Sequence, residues 1–278
     1  MAAAVGATML TLATVAAAQS RGYAYEFKSV GGSGLRGLGS VVKGGGKLRF
    51  RATLACARSC PTGPAARGRF RLAEGRCGKP TGKSIALKAG KLGPGGLDFD
   101  RKVAITPSHD LNAASVKYEW DFNSSGHYQT AACANRATIA AGAKPSVVKA
   151  LFAVFKPVGG SGLRGLGFAH KDGHKLRFHA TLACAKACPT GTTANGVPVR
   201  FRFNKGRCGG PAGKSFSLKE GKLGPGGLDF HSASSFDAGN DPTSWNTMEL
   251  GWDLEPQRSG VFERAAAACG YLWAYVGG

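Results

Sequence analysis

Acidic residues are scarce in this chain, because its 278 residues include 16 Asp and Glu against 37 Lys and Arg, for a formal net charge of +21. Such an excess has two interpretations, a surface that is merely kept soluble and a surface that binds polyanions. The uneven distribution of the charge along the chain, described below, favours the second.

Helical periodicity and long hydrophobic runs are also missing. No stretch repeats its apolar residues with the 3.6-residue period of an amphipathic helix, which argues against a helical fold. After residue 18 no segment approaches the length of a membrane span, so no transmembrane span is expected.

The first 18 residues carry no charge and consist mostly of Ala, Val, Leu and Met. Three alanines before Gln19 fit the small-residue cleavage rule of a secretory signal peptide, although the usual basic n-region is missing. We therefore expect a signal peptide at 1–18 and an extracellular protein, with an N-terminal membrane anchor as the alternative.

The rest of the chain repeats itself. VGGSGLRGLG occurs at 30–39 and again at 158–167, and 28 of the 37 positions in 27–63 are identical to those in 155–191. Each copy is long enough to form its own core. The internal duplication therefore predicts two tandem domains, at 23–142 and 149–278, joined by a linker at 143–148.

Each repeat contains four cysteines at matching places, namely Cys56, Cys60, Cys77 and Cys133, then Cys184, Cys188, Cys208 and Cys269. Even numbers in an exported chain predict disulfides, with a zinc site in each domain as the weaker alternative. The expected bridges join an early strand to the last one, as Cys56–Cys133 and Cys184–Cys269, which leaves Cys60–Cys77 and Cys188–Cys208. Other pairings within a repeat stay open, whereas bridges between repeats are not expected.

Apolar and polar residues alternate along several short segments. In 47–56 the apolar residues share one face, while Lys47, Arg49 and Arg51 lie on the other, which is typical of a half-buried strand. Six or seven such segments per repeat, bounded by Gly or Pro, predict an all-β fold. We expect each domain to be a disulfide-stabilised antiparallel β-sandwich of immunoglobulin-like arrangement, with Trp120 and Trp252 in its cores.

Two glycine motifs resemble nucleotide-binding loops. GxGxxG occurs at 32–37 and 160–165, and CGKPTGKS at 77–84 resembles a phosphate-binding loop. Both motifs require a following helix, whereas strand-like alternation follows here. We interpret the first as an irregular edge strand or turn and the second as a turn between strands, and we expect no cofactor.

No recognisable catalytic set is present. The histidines of one repeat are not matched by histidines in the other, and no Ser-His-Asp or Cys-His pattern occurs. His170 and His174 flank a hairpin-turn signature, but two exposed histidines are a poor basis for a metal site, and no metal is expected. The matched acids are Asp98 with Asp229 and Asp121 with Asp253, which support only a weak hydrolase hypothesis.

The basic residues are concentrated in the first part of each repeat. Residues 28–91 contain 15 basic residues and one acid, and 156–222 contain 13 and two. Arginine guanidinium groups suit sulfate, phosphate and carboxylate. We predict polyanion binding by outward-facing arginines, which would form one sheet face if their strands are neighbours: Arg36, Arg49, Arg51, Arg69, Arg71, Arg164, Arg177, Arg200 and Arg202.

These observations lead to a hypothesis of a secreted, basic, non-catalytic protein that binds anionic polymers. The expected partners are acidic polysaccharide, cell-wall polymer or extracellular nucleic acid, since export argues against an intracellular nucleic acid. A structural or cell-surface protein that self-assembles is the first alternative, because the basic and the acidic part of each repeat can attract head to tail. An extracellular hydrolase is the second alternative.

Overall fold

The computed structural model describes residues 21–44, 46–56, 60, 67–104, 114–121, 125–136, 149–172, 174–184, 188, 196–208, 215–236, 245–252 and 266–276. The predicted signal peptide at 1–18 and the predicted linker at 143–148 lie outside these residues. No helix among the described residues has the length and hydropathy that a membrane span needs.

The described residues form sixteen strands and no helix. The first repeat contains β1 (Arg21–Ser29), β2 (Leu35–Gly44), β3 (Lys47–Cys56), β4 (Arg67–Arg76), β5 (Lys79–Lys91), β6 (Leu97–Ala104), β7 (Ser115–Asp121) and β8 (Gln129–Asn135). The second contains β9 (Lys149–Pro157), β10 (Leu163–Asp172), β11 (Lys175–Cys184), β12 (Val197–Asn204), β13 (Ser215–Leu223), β14 (Leu228–Ser235), β15 (Thr247–Trp252) and β16 (Ala266–Val276).

Each repeat forms one eight-stranded antiparallel sheet that curls until it is nearly closed. The order in the first repeat is β5-β4-β7-β8-β1-β2-β3-β6, and the second has the same order with each number raised by eight. Phe70 on β4, near one end of the order, lies 5.0 Å from Phe50 on β3 and 5.1 Å from Phe99 on β6, near the other end. The fold is therefore barrel-like, and the predicted two-sheet immunoglobulin-like sandwich is not what the chain forms.

Strands lie where the alternation of apolar and polar residues predicts them, as long as the segment contains large apolar side chains. Strand β3 covers the segment 47–56 that the pattern predicts. The 77–84 motif begins with a turn at Cys77 and Gly78, as predicted, but its remaining residues already belong to strand β5.

The interpretation of 32–37 as an irregular edge strand or turn is right for the turn and wrong for the edge. Gly32 and Gly34 precede β2 with a φ of +72° each, whereas β2 lies inside the sheet between β1 and β3. A Cβ on Gly37 of β2 would meet the carbonyl oxygen of Thr53 at 2.0 Å, so close backbone contact explains the glycines that hide this strand.

All eight cysteines are paired, but not as the sequence analysis expected. The bridges are Cys56–Cys60, Cys77–Cys133, Cys184–Cys188 and Cys208–Cys269. The expected bridge from an early strand to the last one rested on a two-sheet sandwich. In the single sheet, the last strand of each repeat is instead tied to the cysteine that follows its fourth strand. Each repeat is bridged within itself, as predicted, and no bridge joins the two.

We expect the long and the short bridge to differ in their contribution to stability. Loop-closure entropy gives about 4 kcal/mol for the 56-residue separation of Cys77–Cys133 and about 2 kcal/mol for the four-residue separation of Cys56–Cys60. Urea unfolding of the C77A/C133A and C56A/C60A variants measures this difference. An equal loss in both variants would contradict it.

One core position shows how the two repeats fill the same space differently. The buried hydroxyl of Tyr118 has no hydrogen-bond partner, and a Cβ on Gly68 would lie 2.2 Å from it. The corresponding positions in the second repeat hold Val199 and Leu250, both fully buried. The first repeat thus combines a small residue with a large one, where the second repeat combines two residues of medium size. Burial also raises the pKa of the Tyr118 hydroxyl.

Gly68→Ala is expected to destabilise the first repeat by about 1–3 kcal/mol, because overpacking a filled core forces side chains out of their rotamers. The double variant G68V/Y118L, which copies the second repeat, should recover most of that loss. Gly93→Ala is the matched control, since the nearest atom to its Cβ would be 3.5 Å away. Urea unfolding compares the three variants, and a G68A protein as stable as G93A would contradict the prediction.

Candidate functional site

Six cations lie on the outer side of β4, β5 and β7, which we call the basic face: Arg67, Arg69, Arg71, Lys88, Lys91 and Lys117. Residues directly opposite one another on neighbouring strands share a face of the sheet. Arg69 lies opposite Lys88, Arg67 opposite Lys91, and Arg71 opposite Lys117. All six side chains are exposed or half-buried. Cations of three adjacent strands therefore form one continuous surface.

Glu119 on β7 is the acid that organises this surface. Its carboxylate accepts hydrogen bonds from Nε of Arg69 at 2.6 Å and from Nε of Arg71 at 3.3 Å. The Glu119 side chain is 11% exposed, so one nearly buried carboxylate holds two partly exposed arginines in place. The Arg69 guanidinium also lies over the Tyr128 ring, 3.8 Å from its centroid. Both arginines are therefore held in fixed orientations. The single negative charge of Glu119 offsets one of their two positive charges.

The second repeat keeps only part of the basic face. Arg200 and Arg202 on β12 correspond to Arg69 and Arg71, and Lys219 and Lys222 on β13 correspond to Lys88 and Lys91. The remaining two positions have lost their positive charge. Pro198 replaces Arg67, and Glu249, which lies opposite Arg202, replaces Lys117. The first repeat therefore carries the stronger cationic surface.

Arg49 and Arg51 on β3 belong to a different surface. Both bond to Asp100 on β6, Arg51 through Nε at 3.1 Å and Arg49 through two nitrogens. Four strands lie between β4 and β3 in the sheet order. The predicted arginine cluster of the first repeat is thus divided into two pairs, each held by its own carboxylate, and does not form one sheet face. Arg177 on β11 is the exposed counterpart of Arg49.

The two repeats meet through equivalent backbone contacts. The amide of Cys56 donates to the carbonyl of Gly226 at 3.0 Å, and the amide of Cys184 donates to Gly95 at 2.9 Å. Gly96 has a φ of +100°, and a Cβ there would lie 2.3 Å from the Leu54 carbonyl oxygen of its own repeat and 3.1 Å from Cβ of Ala183 in the second repeat. This repeat junction therefore joins the cysteine-containing end of one repeat to the Gly-Pro-Gly-Gly turn of the other, once in each direction.

Arg36 and Arg164 lie close to this junction, away from the basic face. The charge of Arg164 acts on Asp98 of the first repeat, and the charge of Arg36 acts on His231 of the second. Both arginines therefore face acidic or histidine side chains of the opposite repeat. Arg36 and Arg164 do not share a surface with Arg69 and Arg71, so the structure does not support their predicted role in polymer binding.

Beside the junction lies a cluster that the sequence analysis missed. One nitrogen each of His179 on β11 and His231 on β14 and one carboxylate oxygen of Glu26 on β1 lie within 4.8 Å of one another. The two imidazole centroids are 3.6 Å apart. Asp229 contacts Nε2 of His179 at 2.7 Å and Nε2 of His231 at 3.4 Å. The cluster combines side chains of both repeats, and adjacent imidazoles beside carboxylates can bind a metal ion or a proton.

The electrostatics of this cluster follow from its hydrogen bonds. Burial acts to raise the pKa of Asp229, but the bonds from His179 and His231 outweigh it and hold that pKa below its ordinary value. The bond to Asp229 raises the pKa of His231, against the opposing effect of burial. A signal for the cluster was present in the sequence. His179 and His231 replace Arg51 and Asp100, which form an ion pair in the first repeat.

Three of the four matched aspartates have structural partners. Thr53 donates to Asp98 at 3.0 Å, and Thr181 donates to Asp229 at 3.0 Å. Asp121 accepts from the backbone amides of Ser125 and Gly126, which connects the end of β7 to the residues before β8. Asp253 lies outside the described residues. Trp120 is buried in the first core, as predicted, and Trp252 packs half-buried against the second.

No protein-family model matches this chain. A comparison with curated proteins finds no similar sequence either.

Glu119→Gln should cost more stability than Asp100→Asn, although each variant removes one carboxylate that holds two arginines. Hydrogen bonds to a nearly buried charge contribute about 1.5–3 kcal/mol, whereas exposed pairs contribute about 0–1 kcal/mol, and Asp100 is 42% exposed. Urea unfolding of both variants measures the difference. Equal losses would show that Glu119 does not organise the arginine pair.

Proposed function

We propose that the protein is a secreted, non-catalytic binder of anionic polymers, with acidic polysaccharide as the main class of partner. The basic face of the first repeat is the principal contact surface, and the reduced face of the second repeat is a weaker one. Both repeats in one chain allow a long polymer to be bound at two places, which raises the overall affinity through effective concentration.

The observation that carries this proposal is the placement of like charges directly opposite one another. Arg69 opposes Lys88, and Arg67 opposes Lys91, on paired strands. Such pairs destabilise a sheet, and the carboxylate of Glu119 offsets only one of the six positive charges of the basic face. A bound polyanion removes this repulsion, because its sulfate or carboxylate groups lie between the cations.

The spacing of these cations suits a polymer better than a small anion. Strand residues that point to one face recur at about 6.8 Å, and neighbouring strands lie about 4.8 Å apart. Arg67, Arg69 and Arg71 therefore form a row of cations along β4, with Lys88 and Lys91 beside it on β5. A linear polymer with regularly spaced charges can contact several of them at once.

The cations on β5 have a second explanation, since β5 is at the end of the strand order. Lysines on such strands prevent pairing with other chains. This explanation applies to Lys88 and Lys91 but not to the arginines of β4, which is paired on both sides. Self-assembly and hydrolysis remain the alternatives from the sequence, and no contact among the described residues favours either over polymer binding.

The variant R67Q/K88Q should bind heparin and polygalacturonate about two- to thirty-fold more weakly than the unaltered protein in 50 mM salt. Two exposed ionic contacts of about 0.2–1 kcal/mol each give this range. The difference should shrink as salt rises, because screening shortens the range of exposed charges. Calorimetric titration in a salt series measures both effects.

The matched control is K47Q/K102Q, which removes two exposed cations from β3 and β6, away from the basic face. Its affinity should stay within about twofold of the unaltered protein. If both double variants lose affinity equally, only net charge matters and the basic face is not the site. If R67Q/K88Q aggregates in light scattering while its affinity is unchanged, these cations only protect the sheet edge.

A further inference from the structure

We propose that Glu26, His179 and His231 bind one divalent transition-metal ion of the zinc class at the repeat junction, with Asp229 orienting the two imidazoles. Glu26 belongs to the first repeat and the other three residues to the second. The ion would therefore connect the two repeats. This inference is independent of polymer binding, because the cluster and the basic face share no residue.

The donor atoms are already close to the arrangement that zinc requires. One nitrogen of each imidazole and one oxygen of Glu26 lie within 4.8 Å of one another. Zinc bonds of about 2.0–2.2 Å in a tetrahedron place neighbouring ligand atoms roughly 3.3 Å apart. Small side-chain rotations suffice to close this gap, since Glu26 and His231 are exposed. A water molecule can supply the fourth ligand.

Asp229 contacts both histidines in the way that carboxylates commonly contact metal-binding histidines. Its two carboxylate oxygens contact Nε2 of His179 and Nε2 of His231. A carboxylate that accepts from a ligand histidine fixes the ring and makes its other nitrogen a better donor. His179 is 8% exposed, and its hydrogen bond to Asp229 holds its ring in place within the second repeat.

The charges around the cluster also fit a divalent cation. Glu26 and Asp229 contribute two negative charges, which attract a divalent cation, and one arginine offsets only one of them. Arg36 on β2 is the cation whose charge acts on His231. Without a metal ion, two imidazoles with ring centroids 3.6 Å apart repel one another if both are protonated.

The internal comparison provides a further, independent argument. His179 and His231 replace Arg51 and Asp100, and Glu26 corresponds to Val154. All three donor positions therefore differ from their counterparts in the other repeat. The change replaces an ion pair with two imidazoles, and the described residues contain a single such cluster. Disulfides occupy all eight cysteines, so no thiol competes for the ion.

Zinc titration of the untagged, oxidised full-length chain by calorimetry tests the proposal. The expected result is one ion per chain with a Kd of about 10 µM or tighter, which corresponds to moderate affinity on the standard scale. The variant H179R/H231D restores the ion pair of the first repeat, so its fold should be retained, and its affinity should fall at least thirtyfold. Asp229→Asn should weaken binding by about 10–100-fold, as loss of an orienting carboxylate does.

Two controls keep the result interpretable. H127A/H174A removes two exposed histidines outside the cluster and should leave zinc binding unchanged. Glu26→Gln, at an exposed position, should weaken binding even if H179R/H231D fails to fold. Absence of binding to the unaltered chain at 0.1 mM zinc would overturn the proposal. Equal binding by H179R/H231D, or loss of binding in H127A/H174A, would overturn it as well.

Discussion

The contact of Phe70 with rings from distant strands is the constraint on which the first repeat depends. Its ring lies 5.0–5.9 Å from those of Phe27, Phe50, Phe99 and Tyr118. Phe201 makes the same kind of cluster in the second repeat. These contacts join the two ends of one curled sheet. Because side chains alternate along a strand, burial of Phe70 also forces Arg69 and Arg71 to the outside. The core therefore determines where the positive charge is displayed.

The sequence predicted the class of structure better than its arrangement. Alternation is clear in β3 because Leu48, Phe50 and Leu54 are large, and the all-β fold followed from such segments. It is weak in β2, where glycines allow the backbone of β3 to approach closely. Whether eight strands form two sheets or one curled sheet depends on contacts between residues far apart in sequence. Local patterns do not contain that information, and the expected disulfide pairing was wrong for the same reason.

The arginines of the candidate site show the same limit of prediction from local sequence patterns. Their outward orientation is a local property and could be read from alternation. Their grouping depends on strand order, which places β3 and β4 far apart and adds Lys88 and Lys117 as neighbours of the β4 arginines. The cluster of His179, His231 and Glu26 was harder to see, since it combines three strands of two repeats. Only the replacement of both members of an ion pair by histidine pointed to it.

The repeat junction has a consequence for assembly. Cys56 contacts Gly226 as Cys184 contacts Gly95, so each repeat contributes the same two elements to the pair. Such a contact has the form of an isologous interface, in which both partners contribute the same two patches. Because both repeats belong to one chain, their association is intramolecular and does not depend on protein concentration. The covalent connection thus keeps the junction assembled even when the protein is highly diluted.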